Sequence, residues 1–337
     1  MNAPLRVAIV GAGLGGLAAG RTLRAAGADV VLFDKGRRPG GRVATRRGDD
    51  GAFDHGAQFF TVREPAFADQ VADWQRRGVA AEWRGPFRTL QNRVFGPDPR
   101  PGQRRFCGVP GMSALGGDLA RDLAVQSGTR IAFVRRDAAG WWAATTDGAR
   151  HGPFDELLLT LPPLQAAALL PPADPFAAEL AAIELAPCVA VMVRFAGPVP
   201  ELAGGTFVVD DDVAWIAHDG GKPGRDGAPN YVLHGTVAFS RRSLGTPDET
   251  IGRTLLAALR RALARPLPAV AAATVHLWRY ALPDDDGGAA GERRDAARGL
   301  TAAGDFARGG RVEGAWTSGA AAAAAILALR TPGNSPA

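Results

Sequence analysis

Lysine and cysteine are both scarce in this chain. Of 337 residues, only Lys35 and Lys222 are lysine and only Cys107 and Cys188 are cysteine. The two cysteines lie far apart and form no C-x-x-C pair, which argues against a disulfide scaffold, a zinc cluster and the redox dithiol of a flavin disulfide reductase. With so little lysine, the formal net charge of +5 rests on arginine. No basic run is interleaved with aromatics, so the surface reads as solvated and nucleic acid is not an expected partner. There is no HExxH, no Ser-His-Asp order and no carboxylate-rich cluster, so no metal site is expected and hydrolytic chemistry has no support. Long apolar runs are missing as well. The Ala-rich stretch from Ala315 to Leu329 is short and broken by Thr317, Ser318 and Gly319, too little to span a bilayer. The apolar run from Leu5 to Val10 leads straight into a glycine cluster and not to a cleavage site. A soluble, cytoplasmic protein with no membrane partner is expected.

What is present is an ordinary globular composition, 46% hydrophobic and 22% charged, on a chain long enough for about two domains. The first sixty residues read as strand, helix, strand: Arg6 to Val10, then Gly15 to Ala26 with Leu17, Ala18, Thr22 and Leu23 at helical spacing, then Asp29 to Asp34 after Gly27. Strands are also expected at Thr129 to Val134, Gly140 to Thr146 and Phe154 to Leu161, the last stopped by Pro162-Pro163. Pro97 to Gln103 marks a turn or linker. Beyond Pro163 the pattern shifts to closely spaced strands, Val189 to Phe195, Thr206 to Val209, Val213 to Ala217 and Tyr231 to Phe239, as in an antiparallel sheet. An amphipathic helix from Glu249 to Leu263, a strand from Val275 to Leu282 and a solvated turn at Asp284-Asp-Asp-Gly-Gly follow. From Gly299 a nucleotide-type pattern returns, closing in a helix from about Glu313 to Leu329. The expected fold is α/β, with a Rossmann-like domain built from residues 1–62, 104–165 and 285–330. An antiparallel-sheet substrate domain is inserted as residues 63–103 and 166–284, and 331–337 form a tail.

Two signatures carry the chemistry. In Gly11-Ala-Gly13-Leu14-Gly-Gly16, Gly11 permits a tight turn, Gly13 lets backbone approach a pyrophosphate and Gly16 lets helix and strand pack closely. The helix N-terminus offers free N–H groups to phosphates. Asp34, ending the second strand, is placed to accept from ribose hydroxyls. Gly40-Gly41-Arg42 suits close passage beside the pyrophosphate, with Arg42 neutralising charge. Near the other end, Asp305 is suited to a ribitol hydroxyl, and the helix N-terminus at Val312 to Ala315 to the pyrimidine edge of an isoalloxazine, where its dipole stabilises negative charge. Glu313 is read either as part of that edge or as a first-turn acid complementing the dipole. A chain needing both ends for one long dinucleotide is expected to bind FAD.

These motifs, with Phe53-Asp-His-Gly-Ala-Gln58, resemble the FAD-dependent amine oxidase superfamily, and within it the bacterial renalases. Supporting stretches are Gly56-Ala-Gln-Phe-Phe-Thr61, Gly108-Val-Pro-Gly-Met-Ser113, Lys222-Pro223 with Arg225-Asp226, Leu233-His234, Trp278-Arg-Tyr280-Ala-Leu-Pro283 and Gly310 to Trp316. The resemblance implies a p-hydroxybenzoate-hydroxylase-like fold with non-covalent FAD. It implies oxidation of misreduced 2- or 6-dihydro isomers of NAD(P) to NAD(P)+ by hydride transfer to flavin N5, with dioxygen reduced to hydrogen peroxide. Carried over by position, it places cofactor contacts at Gly11, Gly13, Leu14, Gly16, Asp34, Lys35, Gly41, Arg42, Gln58, Val134, Asp305, Val312, Glu313 and Ala315. Phe59, His234 and Trp278 fall on the substrate side. Phe59 stands where the family often has tyrosine, and Gly220-Gly221 where relatives tend to carry polar side chains.

Hydride transfer from a dihydropyridine is driven by aromatisation and needs positioning more than acid or base, which suits this chain. A flavin-facing lysine, common among amine oxidases, is not expected when only Lys35 and Lys222 exist. Lys222 is read as solvent-exposed or as meeting substrate phosphates at a pocket mouth. His234 and Trp278 are read as packed core or as flavin-side groups, and His55 and His276 as structural. The alternatives are an oxidase of amines or of other CH–NH or CH–CH donors on the same scaffold, a non-catalytic FAD-binding protein, and an NAD(P)H-dependent monooxygenase. The expected partners are a small dihydronicotinamide dinucleotide or amine, and dioxygen.

Overall fold

In β1 (Arg6–Val10), Val7, Ala8, Ile9 and Val10 are all buried, as in a strand covered on both faces. The strand leads through Gly11 into α1 (Leu14–Ala25), which turns Leu17 and Leu23 inward and ends before Gly27, a glycine at φ +85°. The chain then returns as β2 (Asp29–Asp34), parallel to β1. These expected elements lie within one residue of their predicted bounds. A computed structural model describes residues 3–209, 211–283 and 291–328.

Around β1 and β2 a six-stranded sheet assembles in the order Arg293–Asp295, Leu300–Ala302, Glu156–Leu159, β1, β2, Ala124–Ser127, parallel except at its Arg293–Asp295 edge. Its strands therefore come from the start, the middle and the end of the chain. The C-terminal helix, Val312–Ala328, lies against α1 at backbone distance. A Cβ on Gly319 would lie 1.9 Å from the Gly15 carbonyl oxygen, and one on Gly15 would lie 2.9 Å from that of Ala315. A three-stranded antiparallel sheet (Ile131–Asp137, Gly140–Thr145, Arg150–Phe154) turns Ile131, Val134, Trp141 and Ala143 into a shared core with Ala8, Val10 and Phe33.

The second large sheet has seven strands in the order Val270–Pro283, Leu185–Phe195, Asn230–Gly235, Val213–His218, Gly205–Val208, Phe87–Gln91, Val94–Gly96. All pairs are antiparallel except Gly205–Val208 with Phe87–Gln91. One face buries Val189, Val191, Val193 and Leu233 beneath Ile251, Leu255 and Leu259 of the helix Asp248–Leu263. The other turns toward the segment after β2, where Met192 and Val232 meet Phe53.

Several expected boundaries change. The strand expected from Tyr231 to Phe239 stops at Gly235, because the Thr236 hydroxyl accepts from Phe239 N–H and caps a helix, Val237–Arg242. The strand expected from Thr129 starts at Ile131 and continues to Asp137, since Thr129 N–H is held by the Asp34 carbonyl. The run from Phe154 to Leu161 divides: Phe154 ends a strand of the small sheet, while Glu156–Leu159 joins β1. The helix Pro65–Arg76, unforeseen in the sequence, buries Phe67, Val71 and Trp74 in the core containing α1. The expected turn at 284–288, the end of the closing helix at Leu329 and the tail 331–337 lie outside the described residues. Among the described residues no helix is long and apolar enough to cross a membrane.

Candidate active site: a dinucleotide groove beside an aromatic sheet face

The glycine turn has two tight positions and one open one. A Cβ on Gly16 would lie 2.0 Å from the Gly11 carbonyl oxygen, and one on Gly11 would lie 2.6 Å from Thr160 Oγ1. Gly11 also sits at φ +109°, and its N–H donates to the Phe33 carbonyl. Gly13, the residue preceding α1, faces open space: a Cβ there would meet nothing within 4 Å. The unpaired N–H groups of the first turn of α1 open beside it, with Leu14 buried as the helix's first residue. At the end of β2, the Asp34 carboxylate accepts from Ala12 N–H and Gly36 N–H, both at 2.6 Å, so it braces the loop at whose edge it stands. Lys35 is exposed, and its Nζ donates to Gln165 Oε1 at 3.3 Å.

Gly40 bridges to Gly13, and Gly41, at φ +56°, crosses within close contact of the Gly13 Cα. Arg42 follows and reaches the other end of the chain. Its Nη1 and Nη2 meet Asp305 Oδ2 and Oδ1 at 2.8 and 2.5 Å, and Nη1 also donates to the Ala281 carbonyl. The two groups expected to serve different parts of the cofactor are thus paired with each other. Val134 N–H donates to the Leu169 carbonyl while its side chain lies in the core. Val312 and Ala315 lie on the first turn of the C-terminal helix. The Glu313 carboxylate turns outward from that helix and accepts from Arg63 N–H and Glu64 N–H at 2.7 and 2.8 Å, capping the start of Pro65–Arg76.

Beside this groove the second sheet presents a row of rings. Cross-strand register places His276 opposite Ala190, Ala190 opposite His234, and His234 opposite Trp215. Directly opposed residues share a face, so the three rings point the same way. Trp278, two residues beyond His276, extends the row. The segment Asp54–Phe60 covers it. His55 stacks on Trp278 with centroids 5.1 Å apart, and its carbonyl accepts from Trp278 Nε1 at 2.9 Å while lying 3.3 Å from His234 Nε2. At the far end Phe59 packs on Trp215 at 5.4 Å, with Trp83 and Phe87 behind it. Phe59, His234 and Trp278 therefore border one face, His55 joins them, and Gly56 threads between Trp278 and the Arg42 carbonyl. Burial pushes the His55 and His234 imidazoles down to about 4, so both are neutral at neutral pH.

What holds this segment is a buried ionic cluster. Lys222, expected at the surface, has a side chain only 1% exposed. Its Nζ donates to Gln58 Oε1 at 3.1 Å and Asp54 Oδ2 at 3.2 Å, and it forms an ion pair with Asp219 Oδ1 at 2.6 Å. Gln58 uses its Nε2 on the Asp54 and Gly56 carbonyls, so its amide braces the loop from within. Asp54 Oδ1 accepts from Thr45 Oγ1 and Met112 N–H and faces Arg225 Nη2 at 2.9 Å. Burial alone would raise the Asp54 carboxyl, but the Lys222 and Arg225 charges hold it below its ordinary value. For Lys222, burial acts to lower the pKa, and the Asp219 and Asp54 charges outweigh it and raise it. Asp219 had no local signal, and Asp54 and Arg225 stood out only within quoted motifs.

Residues 9–73 match the NAD(P)-binding Rossmann-like domain, and residues 74–327 match the flavin containing amine oxidoreductase family. The chain belongs to the flavin containing amine oxidoreductase family. Among solved structures, an Exiguobacterium sp. 255-15 protein assigned as a protoporphyrinogen oxidase superposes with a TM-score of 0.77 at 15% identity, over 98% of this chain and 100% of that one. Wild-type putrescine oxidase bound to putrescine superposes with a TM-score of 0.68 at 15% identity, over 97% and 99%. Family membership makes the protein an FAD-dependent oxidoreductase. The groove fits that cofactor: the open Gly13 cradle and the N-terminus of α1 suit its pyrophosphate, and Arg42 and Asp305 meet beside the Ala281 carbonyl, on the strand that carries Trp278.

Replacing Lys222 with methionine strips the buried carboxylates of one cation and should cost about 3–5 kcal/mol. Chemical denaturation of the holoenzyme should show a correspondingly lower midpoint; an unchanged midpoint would contradict the cluster's role. The neutral imidazoles set an acid limit. Their folded values near 4 lie below the ordinary 6.5, so the unfolded chain takes up protons first. Their contribution is complete above pH ~6.5 and is lost as pH falls toward ~4, by up to roughly 1.4 kcal/mol per pH unit for each imidazole. Urea titrations across that window should show a shallower decline for His234→Gln than for wild type; equal slopes would count against a buried neutral His234.

Proposed function

We propose that the protein is an oxidase of renalase type, taking a 2- or 6-dihydro isomer of NAD(P) to NAD(P)+. A hydride and its electron pair leave the dihydropyridine ring, dioxygen receives two electrons and two protons, and hydrogen peroxide is released. Bound FAD supplies the two-electron acceptor between these half-reactions. The observation that carries this reading is the row Trp278, His276, His234 and Trp215 beside the segment Asp54–Phe60. Aromatic side chains bordering one face suit a nicotinamide ring. The nearby imidazoles are held neutral, and Lys222 and Asp54 are engaged with each other. A wall so arranged positions a donor without a free charged base, which is what a reaction driven by aromatisation needs. In this reading Phe59, His234 and Trp278 flank the ring being oxidised. The groove residues Gly11, Gly13, Gly16, Gly41, Arg42, Asp305, Val312 and Ala315 hold the cofactor, and the protein works in the cytoplasm.

A second reading, oxidation of an amine, gains from one observation. Lys222 is buried against Gln58, on the loop that borders the cofactor groove, so the shortage of lysine no longer counts against a lysine on that side. Anaerobic mixing of the holoenzyme with 2- and 6-dihydro-NAD(P), 4-dihydro-NAD(P)H and primary amines separates the readings. The proposal expects rapid loss of the visible flavin absorbance with a 2- or 6-dihydro isomer alone, and peroxide when air is readmitted. Loss with amines alone would move the protein to the second reading.

A further inference from the structure

Arg225 also lines a cavity of about 210 Å³, together with Arg47, Asp226 and Asn230 among others. We infer that this cavity binds a phosphate group that still carries an O–H, either hydrogen phosphate or the monoanion of a phosphomonoester. The Arg225 side chain is only 6% exposed and turns Nη2 toward Asp54 and Asp219, at 2.9 and 3.5 Å. Its Nε and Nη1 have no hydrogen-bond partner among the described residues. Asn230 is 3% exposed, and its Oδ1 likewise has none. Buried polar atoms of this kind are normally satisfied, and a charged donor left open is the most costly case.

The pattern of open atoms selects the ligand. Arg225 offers N–H donors on a cation, which calls for an anionic oxygen acceptor. Asn230 Oδ1 offers an acceptor, which calls for a donor on the same ligand. Hydrogen phosphate carries both, whereas sulfate and carboxylates lack the proton at neutral pH. Arg47, at the exposed rim, donates to Ser113 Oγ and supplies a second guanidinium. The exposed Asp226, whose Oδ1 accepts from Ala228 N–H, is the one carboxylate of the lining. Asp54 and Asp219 already pair with Lys222 and Arg225 inside the cluster, so recognition rests on directed hydrogen bonds more than on net charge. Phosphate here is one residue, Arg225, away from Asp54 and the Gln58 loop.

Isothermal titration of the FAD-bound protein with inorganic phosphate at constant ionic strength tests the site without turnover, so it stands or falls independently of the substrate. The expected result is saturable binding, weaker by roughly fivefold or more for sulfate, which lacks the O–H. Arg47→Gln should weaken phosphate by roughly tenfold, and Arg225→Lys should abolish it. Arg47→Gln leaves the buried cluster intact, so the test survives if Arg225→Lys fails to fold. Competition identifies the source. Displacement by NADP+ and not by NAD+ assigns the site to a 2′-phosphomonoester, and displacement by neither assigns it to free phosphate. No saturable binding, equal binding of sulfate, or binding unaffected by Arg47→Gln would overturn the inference.

Discussion

The ion pairs of Lys222 are the constraint on which the rest of the site depends. An ammonium group buried this deeply is tolerable only with all its donors engaged, and Asp219, Asp54 and Gln58 engage them. Two of those partners belong to the segment that follows β2, and one belongs to the second sheet's loop. The lysine therefore fastens the segment after β2 to the second sheet. Gln58 transmits that hold to the Asp54 and Gly56 carbonyls, and Gly56 fixes the loop between Arg42 and Trp278. Such a buried pair is weak evidence for extra stability but a strong device for register: it admits one relative placement of loop and sheet.

The same placement explains the electrostatic character of the aromatic face. Once the loop covers the row from Trp278 to Trp215, His55 and His234 lose water and stay neutral, while the charges nearby are locked in pairs. The border that results is aromatic, its rings tilted against one another, and its imidazoles are neutral. At the other end of the groove Arg42 and Asp305 neutralise each other, joining the first and last motifs of the chain.

The parts of this arrangement written in local pattern were legible in the sequence. β1, α1 and β2 follow from an apolar run, three spaced glycines and a helical stripe closed by Gly27, all within one stretch. The helix Val237–Arg242, within the span expected as strand, does carry a local signal in Thr236 as a cap and Arg241-Arg242 in the last turn. What could not be read is what depends on distant pairing. Lys222 looks exposed in its glycine-rich loop because its partners Asp54 and Gln58 lie far back in the chain. The ring row exists only through register: His276, His234 and Trp215 stand on strands separated by helices and loops, and nothing near any of them shows that they align. Glu313 likewise reads as a helix-dipole acid, and its capping of Arg63 and Glu64 N–H appears only once the two helices are adjacent.

The most direct test is a crystal structure of the holoenzyme with the NAD(P)+ product bound. This account predicts the nicotinamide ring against the face bordered by Trp278, His234 and Phe59, with Lys222 still bonded to Asp219, Asp54 and Gln58. A nicotinamide bound elsewhere, or Lys222 released from its carboxylates to face the ligand, would contradict it.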